Sequence, residues 1–376
     1  MKILLTGGGS GGHFYPLVAV AEAVNDIVRE KHLIEPHLYY AAPEPYDRDL
    51  LIANNITFVQ TSAGKLRRYF SILNFFDVFK TAWGVTRSVF RIFFVYPDVV
   101  FGSGGFASFP TLLAARLFRI PVVIYATDAE PSRVNLWAGR FAVKVAISFP
   151  DAAKYFPADR VAVTGNPIRK EVLLPAREGV FEFLHLSHDL PVLLVLGGSQ
   201  GSVAINEAIL AGLPHLVEKY QIIHQTGVAN IEEVKGRAKV VLGDTSYADR
   251  YKPFGYLDAL AQRMAAGAAK LVISRAGSGS IFEIAIWGIP SIIIPLPPEV
   301  SHDQSKNAFS YARSGAAVVI EQNNLTPRLL LSEIDRIFGN PQIMHTMSNA
   351  ARAFGRVDAA HLIAEALLDI ALSHES

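Results

Sequence analysis

The chain is expected to be an α/β protein built from two similar, doubly wound halves. Two observations carry this. Short apolar runs alternate with amphipathic helical stretches along most of its 376 residues, the rhythm of strand–helix–strand units that pair as a parallel sheet covered by helices. The rhythm also starts twice, each time as strand, glycine turn and helix: LLTGGGSGG from Leu4 and LVLGGSQGS from Leu194. A single core usually stops growing near roughly 250–300 residues, so the length suits two domains.

In the first half the strands are expected at KILLT (from Lys2), HLYYAA (His37), VVFGSG (Val99), PVVIYA (Pro121), VKVAIS (Val143) and RVAVTG (Arg160), with a helix from about Tyr15 to Glu30. A less regular stretch from Ile168 to Leu190 follows Asn166-Pro167. The rhythm restarts with PVLLVLGGSQGS (Pro191), QIIHQTG (Gln221), KLVISRAGSGS (Lys270) and PSIIIPL (Pro290). From about Asn349 to Leu372 the pattern is a helical pair broken at Gly355, with Asp358 placed to cap its second helix.

Composition narrows the function. With 51% hydrophobic and 18% charged residues the chain is folded and somewhat apolar, and a net charge of +1 gives no pull toward nucleic acid, so no such partner is expected. The absence of cysteine excludes a disulfide framework and a thiolate metal site, which suits a cytosolic protein. The start MKILLTGGGSGG has a strand running into a glycine turn where a signal peptide would have an apolar helix and cleavage site, so export is not expected. The longest apolar run, Val89 to Val100, is interrupted by Arg91, Pro97 and Asp98 and is too short to span a bilayer.

Gly7-x-Gly9-x-x-Gly12 after the first strand has the spacing of a dinucleotide-binding turn. Glycines there let the backbone approach a ligand, and the helix that follows offers free N–H groups at its positive end. A nicotinamide cofactor would also need an acidic residue ending the second strand, about 20 residues on. Here that strand ends AAPEP, and Glu44 lies beyond its end. His13 beside the turn can hydrogen-bond an anion or accept a proton near neutral pH, and can also be read as a helix-capping residue.

Six segments in register resemble one family. They are Gly7 to His13, Gly104-Gly105-Phe106-x-Ser108, Thr164-Gly165-Asn166-Pro167-x-Arg169, Gly197-Gly198-Ser199-Gln200-Gly201, His224-Gln225-Thr226-Gly227 and Asp303-Gln304-x-x-Asn307-Ala308. Together, from residue 3 to about 370, they resemble the MurG family of N-acetylglucosaminyltransferases, which convert lipid I to lipid II in peptidoglycan synthesis. The resemblance implies the GT-B architecture, two Rossmann-like domains facing across a cleft. Residues 1–166 would form the acceptor and membrane-facing domain, with the C-terminal helix of about 349–376 packing back on it. Residues 167–348 would bind UDP-N-acetylglucosamine. No cofactor and no metal ion are implied.

The resemblance assigns roles residue by residue. Ser10, Gly11, Gly12, Gly104, Gly105, Ser108 and Asn135 would face the acceptor and its diphosphate. Arg169 would hold donor phosphate through charge-assisted bonds suited to a guanidinium fork, and Ser199 and Gln200 would steady departing UDP at the helix start. Leu257 matches a position whose backbone reads the uracil edge, and its side chain equally fits core packing. Glu283 would grip the donor ribose hydroxyls, while Ser280 to Glu283 also reads as a capping box. Asp303 and Gln304 would hold sugar hydroxyls, each of which both donates and accepts.

The chain departs from the family at one place. Where the family usually has His-Glu-Gln-Asn, it has Tyr125-Ala126-Thr127-Asp128, followed by the retained Asn135. The general base is therefore open between His13 and Asp128, since a carboxylate near the acceptor hydroxyl can also take its proton. Asp128-x-Glu130 resembles a loose metal-binding pair, and no metal is expected there.

Between Lys65 and Val95 the sequence reads KLRRYFSILNFFDVFKTAWGVTRSVFRIFFV, with Phe70, Phe75, Phe76, Phe79 and Trp83 among basic residues and Asp77 as the single acid. Such a stretch suits the anionic inner leaflet of a membrane, and the alternative is a buried core helix with solvated arginines. The expectation is a peripheral protein on the cytoplasmic face of the plasma membrane, acting on UDP-N-acetylglucosamine and lipid I. Its rivals are a GT-B transferase for another lipid acceptor, a UDP-sugar epimerase, and a noncatalytic UDP-sugar-binding scaffold.

Overall fold

Runs of Val, Ile, Leu and Tyr form the first sheet, whose strands are β1 (Lys2–Thr6), β2 (His37–Ala42), β3 (Ile56–Gln60), β4 (Val99–Gly102), β5 (Val122–Ala126), β6 (Lys144–Ile147) and β7 (Val161–Val163). In the computed structural model, which describes residues 1–8, 10–62, 73–198 and 200–375 and leaves the side chains at 73–82, 302–303 and 374–375 undescribed, these strands pair in parallel in the order β3-β2-β1-β4-β5-β6-β7. Burial on both faces explains their near-continuous apolar runs. In β1, Ile3 and Leu5 enter one core cluster, with Phe14, Leu17 and Tyr40, and Leu4 enters the other, with Leu112 and Ile124.

The strand order reverses between β1 and β4, which end level with Thr6 opposite Gly102. In a doubly wound sheet the loops leaving such a pair open a crevice at the carboxyl ends of the strands, where ligands bind. The second sheet repeats the plan with β8 (Val192–Leu196), β9 (Gln221–Gln225), β10 (Tyr251–Phe254), β11 (Ala269–Ser274), β12 (Ser291–Ile293) and β13 (Ala317–Val319), ordered β10-β9-β8-β11-β12-β13. Its reversal falls between β8 and β11, where Leu196 pairs with Ser274.

The chain divides into one unit of Met1–Arg169 with Val357–Ser376, and another of Lys170–Arg356. The expected terminal helical pair is thereby split. Helix Ala359–Glu375 packs into the first core through Ile363, Ala364, Leu367 and Leu368, and Lys31 meets Glu365 at 3.1 Å. Helix Pro341–Phe354 stays with the second unit, because Met347 lies in that core and Phe354 rests on Phe282 and Tyr311. The expected boundaries at 166 and 349 thus move to 169 and 356.

Strands β3, β10 and β13 escaped the sequence pattern, and all three are sheet edges. An edge strand buries less and tolerates proline, as in YKPF of β10. The first helix runs from Gly11 to Glu30 and so starts a turn earlier than Tyr15, because the Ser10 carbonyl already accepts from the His13 and Phe14 N–H groups. Helix Leu73–Val95 covers the later part of the basic aromatic stretch, while Lys65, Arg67, Arg68 and Phe70 lie outside the described residues. Among the described residues no helix is long and apolar enough to cross a membrane.

Candidate active site

In the first unit the crevice is bounded by the loops after β1, β4 and β5. His13 stands in the first turn of helix Gly11–Glu30, with Nδ1 3.0 Å from the Ser103 carbonyl oxygen. A carbonyl can only accept, so Nδ1 carries the proton and a neutral ring keeps its lone pair on Nε2. The Ser103 hydroxyl returns a bond to the His13 carbonyl at 2.7 Å. The Nε2 edge lies against Gly105, where an added Cβ would come within 3.4 Å of it. Ser10 is exposed and makes no side-chain cap, so the first-turn N–H groups of Gly11 and Gly12 are left to an anion. Gly9 lies outside the described residues.

The β4 loop is pinned from within. Ser108 is buried and donates to the Gly105 carbonyl at 3.0 Å, which makes it a brace of the turn. Gly104 has φ +85°, and a Cβ there would fall 2.5 Å from Asn135 Oδ1. Only glycine therefore lets the buried Asn135 amide cover the turn. Asn135 donates through Nδ2 to the Tyr125 carbonyl at 3.2 Å, while its Oδ1 is buried without a hydrogen-bond partner.

Tyr125 points away from this chemistry. Its ring is fully buried, its hydroxyl meets Ser148 Oγ at 2.5 Å, and burial pushes its ionisation well above the usual phenol range. Asp128 is half-buried at the mouth of the β5 loop and accepts from Thr127 Oγ1 at 2.8 Å. Arg169 falls in the first unit, not the second, and its guanidinium lies 4.3 Å over the Tyr15 ring. Stacking uses the face of the planar cation, and its N–H donors lie in the plane.

In the second unit the turns after β8 and β9 meet backbone to backbone. Gly201, at φ +78°, has no room for a Cβ beside the Thr226 carbonyl. Gln200 is exposed at this turn, Ser199 lies outside the described residues, and Ser202 caps helix Val203–Lys219 by accepting from the Ile205 N–H at 3.3 Å. Beneath the turns runs a buried polar chain. The Asn206 amide donates to the Thr226 carbonyl at 3.1 Å, so Asn206 Oδ1 is left to accept from His224 Nε2 at 3.0 Å, and His224 Nδ1 accepts from the Tyr251 hydroxyl at 2.8 Å. Burial pushes the His224 imidazole down to about 3, so it is neutral.

The Leu257 side chain is 1% exposed and packs in the core, and its N–H donates to Gln225 Oε1 at 3.1 Å. The capping box expected at Ser280 and Glu283 does not form. Helix Ser278–Trp287 begins earlier, with Gly277 at its cap, and puts Glu283 in its second turn. There the carboxylate accepts from Gln262 Nε2 at 2.9 Å. Gln304 Oε1 accepts from the Leu296 N–H at 3.1 Å, which fixes the side chain with its amide NH2 left for a ligand, and the Asp303 side chain lies outside the described residues. At the end of β11, Arg275 donates to the Ile294 carbonyl at 3.1 Å and to Gln322 Oε1 at 2.6 Å, and burial lowers it to about 10, still a cation near neutrality.

Residues 3–147 match the glycosyltransferase family 28 N-terminal domain, and residues 192–363 match its C-terminal domain. The chain belongs to glycosyltransferase family 28. A relative from Clostridium novyi is 35% identical over 360 residues, covering 95% of this chain and 96% of its own. It is named UDP-N-acetylglucosamine--N-acetylmuramyl-(pentapeptide) pyrophosphoryl-undecaprenol N-acetylglucosamine transferase. A Bacillus cereus relative with the same name and the suffix 2 is 35% identical over 92% of this chain and 94% of its own. The crystal structure of Acinetobacter baumannii MurG superposes with a TM-score of 0.73 at 25% identity, covering 98% of this chain and 99% of that one. The fold is GT-B.

Ser103, Gln225, Gln262 and Arg275 join the site without a role legible in the sequence. Ser103 and Gln225 sit inside the strand-end segments VVFGSG and QIIHQTG, so position was the available signal. Gln262 had none, since its partner Glu283 lies on a different helix.

Proposed function

We infer that this family 28 protein transfers N-acetylglucosamine from UDP-N-acetylglucosamine to the 4-hydroxyl of the N-acetylmuramyl group in lipid I, forming lipid II. The observation that carries this is full-length likeness, at 35% identity over 95% of the chain, to relatives named for that transfer. The first unit's crevice supplies the acceptor chemistry. His13, its ring oriented by Ser103, accepts the hydroxyl proton at Nε2, and Asp128 orients or shares that proton. The N-terminal turn of helix Gly11–Glu30, with Gly104, Gly105 and Asn135, receives the acceptor diphosphate.

The hydroxyl oxygen attacks the anomeric carbon as the bond to the UDP oxygen breaks, which inverts the centre and leaves UDP with the electron pair. Arg169, Ser199 and Gln200 stabilise the charge that builds on UDP. Glu283 holds the ribose, the Leu257 backbone segment meets the base, and Asp303 with Gln304 holds the sugar. The displacement needs no metal ion, and full activity in chelator tests that part.

A membrane contact fits the same reading. On helix Leu73–Val95, Trp83, Phe90 and Phe94 are 65%, 62% and 78% exposed and lie seven and four residues apart, on one stripe. Arg87 and Arg91 flank them. An exposed aromatic stripe beside cations suits an anionic bilayer surface, where a lipid-anchored acceptor would be met.

UDP release from UDP-N-acetylglucosamine, measured with and without lipid I alongside chromatography of the products, tests the inference. Release dependent on lipid I, with lipid II formed, is expected. A 2-epimer of the sugar would favour the epimerase reading, and UDP-sugar binding with no product would favour the scaffold.

A further inference from the structure

Gln225 closes β9, and its side chain, 6% exposed, commits both ends of its amide to neighbouring loops. Nε2 donates to the Gly198 carbonyl at 2.9 Å, and Oε1 accepts the Leu257 N–H at 3.1 Å. The Gly198 carbonyl also accepts from the Gly201 N–H at 3.0 Å, so both of its lone pairs are engaged. The Gln225 carbonyl in turn accepts from the Gly197 N–H at 3.2 Å. One residue therefore ties the turn after β8 to the loop after β10 across the strand between them. The buried chain from Tyr251 through His224 and Asn206 to the Thr226 carbonyl keeps the next residue in place.

We propose that Gln225 is a positioning residue for the donor nucleotide, seating the Gly198 turn for the diphosphate and, through the Leu257 N–H, the loop after β10 for the base. This rests on the reading of the second unit as the UDP-sugar site. A brace that makes no contact with the reacting atoms acts on donor binding and leaves the chemical step alone, so its loss is expected in KM and in UDP affinity while kcat is kept.

Gln225→Met keeps the length of the side chain and removes both bonds, and Gln225→Glu keeps an acceptor for Leu257 while removing the donor to Gly198. UDP affinity by calorimetry, steady-state kinetics with UDP-N-acetylglucosamine, and melting temperatures are measured for both. In Gln225→Met, donor KM rises about tenfold or more, UDP affinity falls in step and kcat is nearly unchanged. In Gln225→Glu, which keeps one of the two ties, the same changes are smaller. A lowered melting temperature with KM and UDP affinity unchanged overturns the proposal, as does a fall in kcat with KM unchanged. Should Gln225→Met fail to fold, the glutamate variant decides, since KM and UDP affinity unchanged in it count against the proposal. No UDP binding by the unmutated protein would overturn the donor reading itself.

Discussion

His13 donates its Nδ1 proton to the Ser103 carbonyl at 3.0 Å while the Ser103 hydroxyl donates to the His13 carbonyl at 2.7 Å. The pair fixes a tautomer and an orientation, and it joins the loops on either side of the reversal in strand order. A base needs its lone pair held toward the proton it will take, and this bond supplies that for Nε2. His13→Ala is therefore expected to lower turnover by about 10²–10⁴-fold, the range for losing a positioned general base, with UDP affinity unchanged. Asp128→Asn should lower it less. If steady-state assays give the larger loss to Asp128→Asn, the base is Asp128 and His13 serves the diphosphate.

For the donor side, Arg169→Ala and Gln304→Ala are expected to weaken UDP-N-acetylglucosamine binding before they affect the chemical step. Loss of a charged partner of phosphate costs about 1.5–3 kcal/mol, and loss of a neutral amide about 1 kcal/mol. Arg169→Lys should restore little, because an ammonium lacks the planar fork that lies over Tyr15. Calorimetry with the intact donor measures each, and wild-type affinity in both alanine variants would remove them from the donor site.

The exposed stripe on helix Leu73–Val95 gives a third expectation. Phe90→Ser with Phe94→Ser should reduce sedimentation with vesicles containing anionic lipid, and leave the melting temperature nearly unchanged because both rings face solvent. Arg87→Glu with Arg91→Glu should weaken the same binding more steeply as salt falls, since surface attraction is screened within a Debye length. Unchanged vesicle binding in both double variants would rule out this face.

Much of the architecture was legible because parallel strands buried on both faces leave continuous apolar runs, as in VLLVL of β8. The edges were less so: β3 carries exposed residues, β10 a proline, and β13 is three residues long and only partly buried, so none needs such a run. At the site, the glycine turns and His13 were visible because backbone approach and charge leave a local signature. The partners that aim those groups were not. Ser103 acts on His13 from 90 residues away, and Gln262 reaches Glu283 from another helix, where spacing along the chain says nothing. The supposed capping box failed for a related reason: Gly277 starts the helix before Ser280 can cap it.

The buried His224 predicts how the second unit responds to acid. Its pKa is held at about 3 by burial, against an ordinary 6.5, so the folded unit refuses a proton that the unfolded chain accepts below 6.5. The unfolded state then binds more protons, and stability falls as pH drops through that window, at up to ~1.4 kcal/mol per pH unit. Asp335 does not share the window. Burial raises its pKa, but hydrogen bonds from Lys219, His215 and Tyr220 outweigh this and hold it at about 2, below an ordinary 3.8. Urea unfolding followed between about pH 7.5 and 4.5 should therefore show a loss of stability that His224→Gln flattens, because glutamine can still donate to Asn206 and accept from Tyr251 without titrating. The variant is expected to be less stable at the neutral end, by about 1–2 kcal/mol for poorer packing and hydrogen bonding, and to lose less on acidification. Parallel pH profiles for the variant and the unmutated protein would show that another group drives the loss.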